Sequence, residues 1–246
     1  MKTLRTILLG SVLAVAAASS ALAGNSISTT AAVTSDYRFR GISNSDKNFA
    51  AQAGVTFNHE SGLYIGAWAS TVNFRDNIFF PGGPETTTEL DLYGGYTFDL
   101  GDLGVDISAV YYDYPNSAWS GYDYPYWEGV LKLSYAVGDL GLTGQVAYSP
   151  DFFGIGTDDG WYVAGGASYP VADWLSVSGN YGYQDVSGVL GFNYSHWDLG
   201  ATATYKDLSF DVRYIDTDTA CVTSGGDWCG STVVATLSWA ASFDIE

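Results

Sequence analysis

Polar and apolar residues trade places at every second position in segment after segment of this chain, and little besides an antiparallel sheet accommodates that pattern. In the first such segment Val33, Ser35, Tyr37 and Phe39 alternate with Thr34, Asp36, Arg38 and Arg40. Leu90, Leu92, Gly94, Tyr96 and Phe98 alternate with Glu89, Asp91, Tyr93, Gly95 and Thr97. Trp127, Gly129, Leu131, Leu133 and Tyr135 alternate with Glu128, Val130, Lys132 and Ser134, and Leu208, Phe210, Val212 and Tyr214 with Ser209, Asp211 and Arg213. One face is apolar with aromatic rings towards its ends, and the other carries charges and hydroxyls. A soluble sandwich also alternates, with its apolar face inward. Aromatic ends suit the two girdles of a membrane barrel better.

Twelve segments of this kind are expected, over 30–40, 49–57, 63–74, 87–98, 104–114, 124–136, 141–149, 160–169, 174–184, 192–205, 207–216 and 231–240. Most have the roughly ten residues that a tilted strand needs to cross a hydrocarbon layer. Starting from the N-terminus, the connections alternate long and short. The short ones repeat one chemistry, as in Gly101-Asp102-Leu103-Gly104 and Gly138-Asp139-Leu140-Gly141. Asp bonds its own backbone in a turn and Gly accepts positive φ. Termini on one side require an even strand number; twelve fits, with ten and fourteen as the neighbouring counts. The fold class expected is all-β, a transmembrane antiparallel up-and-down β-barrel.

The start of the chain fits export. Lys2 and Arg5 precede an apolar run over 7–18, and Ala21-Leu22-Ala23 gives a small-x-small cleavage pattern. Residues 1–23 therefore read as a signal peptide and 24–246 as one barrel domain. Loss of Lys2 and Arg5 leaves seven basic residues against 27 acidic ones, a net charge of −20, which argues against nucleic acid as a partner. The aromatic share of 16% argues against disorder. Cys221 and Cys229, eight positions apart in a Gly/Ser/Asp-rich stretch of an exported chain, read as a disulfide closing a loop. No further Cys or His lies nearby to make a metal site, and no cofactor motif occurs.

On these registers Asp36, Arg38, Arg40, Glu89, Asp91, Glu128, Lys132, Asp211 and Arg213 face the lumen. They line a hydrated path, or they pair with one another and plug a narrow barrel; twelve strands lie between filled eight-stranded barrels and open sixteen-stranded ones. If the lumen conducts, the acid excess at Asp36, Glu89, Asp91 and Glu128 favours cations or neutral solutes. Arg38 and Arg40, two apart on a strand, would share a face and either flank an anion or neutralise facing acids. Ser195, His196 and Asp198 have the residue types of a hydrolase. Adjacent strand residues point to opposite faces, however, which separates Ser195 from His196. The long loops, with Pro81-Gly82-Gly83-Pro84 and the aromatic run Tyr122 to Trp127, suit a surface-binding barrel that does not conduct.

The stretch Thr34-Ser35-Asp36-Tyr37-Arg38-Phe39-Arg40-Gly41-Ile42-Ser43, continued by Asn44-Ser45-Asp46-Lys47, resembles the opening motif of the TorF-type porins, a family of proteobacterial outer-membrane proteins. Gly62-Leu63-Tyr64-Ile65-Gly66-Ala67-Trp68-Ala69-Ser70 and Glu89-Leu90-Asp91-Leu92-Tyr93-Gly94-Gly95-Tyr96 resemble later parts of it, as does the cysteine pair before the last strand. The resemblance implies passive diffusion of small solutes or ions through an outer-membrane barrel. Its partners would be membrane lipid, the permeant solutes and, during biogenesis, the barrel assembly machinery. The usual terminal aromatic residue of such barrels is displaced here, since Asp244, Ile245 and Glu246 follow Phe243.

Overall fold

A computed structural model of the chain describes residues 24–73, 86–115, 125–154, 158–223 and 226–245. The expected leader at 1–23, the turn at Pro81–Pro84 and the start of the aromatic run, 122–124, lie outside them.

Twelve strands form one closed antiparallel barrel. In chain order they are β1 (Asn25–Thr34), β2 (Ala50–Asn58), β3 (Leu63–Thr71), β4 (Thr88–Leu100), β5 (Leu103–Asp113) and β6 (Tyr126–Val137). The second half comprises β7 (Leu140–Ser149), β8 (Gly160–Ala172), β9 (Leu175–Asp185), β10 (Asn193–Tyr205), β11 (Leu208–Thr217) and β12 (Thr232–Ile245). Each strand pairs with its neighbours in sequence, and β1 closes the ring between β12 and β2, with Ala31 opposite both Trp239 and Ala53. Closure leaves no unpaired edge, the condition a sheet must meet in lipid. The expected count and hand-to-hand order hold.

The outer face is apolar. Ile65, Leu92, Ile107, Leu131, Val163, Leu199 and Leu237 are exposed between the ends of their strands. Trp127, Trp161, Tyr183 and Tyr214 ring the loop end, and Trp174, Tyr205, Tyr135 and Tyr169 the turn end. Such a belt between two aromatic girdles is costly in water and matched to a bilayer. The last strand runs on to Ile245, and Phe243 pairs with Ile27 inside the sheet, so the displaced terminus still lies within the wall.

The first strand departs from expectation. It ends at Thr34 instead of continuing to Arg40, and it begins at Asn25, where Ser26, Ser28 and Thr30 give the inward face too little contrast to announce a strand. At Ser35 the chain makes its last link to the wall, its N–H donating to the Ala235 carbonyl. Residues 36–48 then turn into the lumen. Arg38–Phe39 pairs with Ile42–Ser43 in a miniature hairpin, with Arg40 at φ +49° and Gly41 at φ +87° between them. Positive φ at both central residues is what a tight two-residue hairpin turn demands. Gly41 is also a packing requirement, because a Cβ there would lie 2.7 Å from both the His196 Cβ and the Thr217 Cγ2.

Candidate functional site

The inward segment is held by its own polar groups before it touches the wall. The Asp36 carboxylate accepts from Arg38 Nε at 2.6 Å and from Ser43 Oγ at 2.6 Å. Ser45 Oγ accepts from the Tyr37 N–H at 2.9 Å, and the Asn44 N–H donates to the Tyr37 carbonyl at 2.7 Å. A short chain with few apolar residues thus keeps one conformation through closed local hydrogen bonding.

It then spans the lumen. The Arg40 guanidinium donates to Glu128 on β6 at 2.7 Å and to Gln184 on β9 at 2.7 Å. Its carbon sits 4.1 Å from the centre of the Tyr162 ring and 4.6 Å from that of Phe39, so the planar cation is sandwiched as well as paired. Tyr112 donates a second hydrogen bond to Glu128 at 3.1 Å. On another side Tyr37 donates to Glu89 on β4 at 2.7 Å and packs edge-on against Trp68. Aromatic rings fill what remains: Tyr126 stacks on Tyr112 and on Phe153, and Phe153 on Tyr114. A cavity of ≈ 20 Å³ between Phe39, Ile42, Phe152, Val186 and Tyr194 is about the size of one water.

Burial along the strands shows which end is filled. On β6 the inward residues Tyr126, Glu128 and Val130 are buried, whereas Lys132 and Ser134 are half-buried. On β9 Gln184 and Gly182 are buried, and Asn180 and Ser178 half-buried. On these two strands the inward face is thus most buried at the long-loop end, where residues 36–48 lie, while towards the short turns Asp106, Thr202 and Ser209 of other strands are buried as well.

The nine residues expected in the lumen lie inside the barrel, but by two routes. Glu89, Asp91, Glu128, Lys132, Asp211 and Arg213 project from the wall, while Asp36, Arg38 and Arg40 belong to the plug. Arg38 and Arg40 consequently do not share a strand face. Arg38 turns back to Asp36 and Arg40 reaches across to Glu128, so each meets an acid and no anion cleft forms. On the wall itself Arg213 pairs with Asp198 and Asp211, and Thr202 donates to Asp211 at 2.7 Å. Asp91 differs from all of these: it is fully buried, and neither carboxylate oxygen meets a hydrogen-bond donor among the described residues.

His196 faces the lumen, where its Nε2 pairs with the Tyr162 hydroxyl at 3.0 Å. Ser195 Oγ instead accepts from Tyr181 on the outer side at 2.9 Å, which keeps the two on opposite faces of β10. Several site residues gave no charge signal in the sequence. Tyr37, Tyr112, Tyr126, Tyr162 and Gln184 are neutral, although Tyr126 has the same strand parity as Glu128 and was findable on that ground.

Cys221 and Cys229 form a disulfide with Cα atoms 5.2 Å apart. Asp227 caps the loop between them, accepting from the Cys221 and Cys229 N–H groups at 3.0 Å each. Partial burial works against its charge, but these bonds, the Gly230 N–H and nearby Lys47 hold the carboxyl below its ordinary range.

The fold is shared with solved porins and channels. A KdgM porin, solved in complex with disordered oligogalacturonate, superposes at TM-score 0.51 with 6% identity, over 90% of this chain and 99% of that one. An outer-membrane channel from Pseudomonas putida F1 gives 0.48 at 12% identity, over 89% of this chain and 96% of that one. An anion-selective porin from Comamonas acidovorans gives 0.41 at 12%, over 89% and 98%. At such identities the likeness speaks for the barrel alone. No curated protein matches this sequence. A family model does match, over residues 17–242, and the chain belongs to that family, Gcw_chp, bacterial proteins of unknown function.

Proposed function

We propose that this chain is a porin-like barrel of the Gram-negative outer membrane, closed at its extracellular end by residues 36–48, and that small solutes pass when this plug withdraws. One observation carries the reading: Arg40, on a segment that leaves the wall after β1, bonds Glu128 on β6 and Gln184 on β9 at 2.7 Å each, so the plug reaches across the lumen and is held there by reversible polar contacts. The apolar belt and its girdles support a place in lipid. The leader-like residues 1–23 support export and cleavage, with the assembly machinery inserting the barrel afterwards. The TorF-type resemblance and the KdgM porin's fold support passive diffusion as the activity, without chemistry on the solute.

Selectivity follows from charge. Withdrawal of the plug takes Arg38 and Arg40 away from the wall and leaves Glu89, Asp91 and Glu128 around the opening, which favours cations and neutral solutes over anions.

The test is planar-bilayer recording of the refolded residues 24–246 beside a variant whose residues 37–46 are replaced by a short Gly-Ser turn. The wild-type protein is expected to stay closed for most of the record. The variant is expected to give discrete, cation-selective steps in opposed salt gradients. A variant that is folded and inserted, yet silent, overturns the pore and leaves a surface barrel acting through its loops. Steps with anion selectivity overturn the charge argument while keeping the pore.

A further inference from the structure

The plug is gripped from a side that the wall contacts do not explain. The loop between β11 and β12, closed by the disulfide, sends Trp228 down onto it, and that side chain is only 1% exposed. The Trp228 indole Nε1 donates to Asp46 at 2.9 Å. Its carbonyl accepts from the Ser43 N–H at 3.0 Å and from Arg38 Nη1 at 2.7 Å, and the same Nη1 lies 3.2 Å from the Gly230 carbonyl. The loop is in turn pinned to the barrel, because Thr217 Oγ1, at the end of β11, lies 2.9 Å from the Cys229 carbonyl. Gly41, at the tip of the plug hairpin, packs directly under Thr217.

We propose that this disulfide-closed loop is the latch of the plug: with Cys221–Cys229 joined, Trp228 is presented to Asp46, Arg38 and Ser43, and with the bond broken residues 36–48 leave the lumen while the barrel stays folded. The physical reason is one of ordering. An uncrosslinked loop rich in Gly, Ser and Asp must lose backbone freedom each time it seats Trp228, whereas the crosslink has removed most of that freedom beforehand. The wall-side contacts of Arg40, Tyr37 and Asn44 would then hold the plug without the loop. Breaking the bond consumes two electrons and two protons from a dithiol, which is left as a cyclic disulfide, and yields two thiols on this chain. Both cysteines are buried, Cys221 3% and Cys229 0% exposed, so a dithiol reaches the bond only when the loop opens. The inference rests on the plugged-barrel reading, and it adds what controls the plug.

The experiment reads plug release without relying on conduction. Folded wild type, Cys221→Ser/Cys229→Ser and Trp228→Phe are embedded in lipid vesicles and treated with trypsin, and fragments ending at Arg38 or Arg40 are timed by mass spectrometry. Both arginines are buried in the seated plug. Heat-dependent gel mobility confirms an intact barrel in each sample. At least a tenfold faster cleavage after Arg38 and Arg40 in both variants is expected. Trp228→Phe keeps an aromatic side chain but loses the indole donor and part of the buried ring, with the disulfide intact, so it decides the matter if the serine variant does not fold. Cleavage at the wild-type rate in an intact variant overturns the latch. The same preparations are recorded in bilayers beside the variant with residues 37–46 replaced. If that control conducts while cleavage is unchanged, the latch fails and the pore stands; fast cleavage with a silent control retains the latch and refutes the pore.

Discussion

Replacing Arg40 with alanine should unseat the plug, and the structure sets the size of the effect. The guanidinium is 5% exposed, makes two hydrogen bonds of 2.7 Å, one of them to a glutamate that is itself 1% exposed, and lies between two ring faces. Truncation leaves Glu128 buried, with a hydrogen bond from the Tyr112 hydroxyl but no cation beside it. Breaking one partner out of a buried ion pair costs about 3–5 kcal/mol, most of it the penalty of stranding the other charge. That cost falls on the seated state alone, since both groups are hydrated once the plug is out. Even about 3 kcal/mol moves the seated-to-released ratio by roughly 150-fold. Alanine adds no new backbone strain at φ +49° beyond what arginine already bears there. The assay is amide hydrogen exchange in vesicles at Ser43 and Asn44, whose N–H groups are bonded to Trp228 and Tyr37 in the seated state. Their exchange should accelerate by about two orders of magnitude, in line with the shift in the ratio. Lysine at position 40 should recover part of the protection, because it keeps the charge and loses the fork and the stacking. Adding Glu128→Ala to Arg40→Ala should also recover part, because no charge is then stranded. Exchange within fivefold of wild type in Arg40→Ala, with the barrel intact, would refute the reasoning that this pair holds the plug.

Three further outcomes follow from single residues. Asp91→Asn should raise the urea midpoint by an amount equivalent to about 1–3 kcal/mol, since it replaces a buried acid whose two oxygens meet no donor among the described residues; a loss of stability would show that the acid is compensated. Gly41→Ala should lower the plug's hydrogen-exchange protection by about 1–3 kcal/mol, from backbone strain at φ +87° and a Cβ 2.7 Å from His196 and Thr217, and a neutral result would mean that the hairpin tip shifts freely. Asp227, held below its ordinary range, contributes stability that is complete above about pH 4, the unfolded carboxylate value, and that is lost as pH falls through its folded value. Its titration should appear in the amide NMR shifts of Cys221 and Cys229 with a midpoint under about 3.9, and a midpoint at or above that value would contradict the capping role.

The wall of this protein was legible because its physics is local. A strand between lipid and a wet or polar interior must alternate, and Leu90 to Phe98 or Leu208 to Tyr214 do so without interruption. Short turns such as Gly101-Asp102 fixed where one strand stops and the next begins, with Gly101 at φ +66° as such a turn requires. The plug was illegible for the same reason. Arg38–Phe39 and Ile42–Ser43 form a ladder of their own, so the residues leading into it keep a period of two after leaving the wall. Alternation from Val33 to Arg40 therefore looked like one strand when it spans a strand end and a hairpin. The mark of the break was Arg40-Gly41 followed by Asn44-Ser45-Asp46, turn chemistry placed too early for a strand starting at residue 30. The inward tyrosines were hidden differently, since a ring that fills a lumen and a ring that sits in a girdle have the same composition.

Polar residues on the inner wall would occur in an open barrel and in a filled one alike, so they do not separate a pore from a plug. What separates them is whether those residues are answered from across the lumen. Along β10 and β11 Asp198, Asp211 and Arg213 answer one another from adjacent wall strands, with no help from the plug. At the loop end Glu89 and Glu128 are answered by Tyr37 and Arg40, which no wall strand supplies. Glu128 is thus neutralised by Arg40, and Glu89 hydrogen-bonded by Tyr37, from a segment tethered only at Ser35 and at the start of β2 and gripped beyond that by hydrogen bonds and ring contacts. Acids left unanswered when that segment departs are the residues an open cation path would need, and the expected selectivity of the released state thus comes from the same contacts that keep the resting state shut.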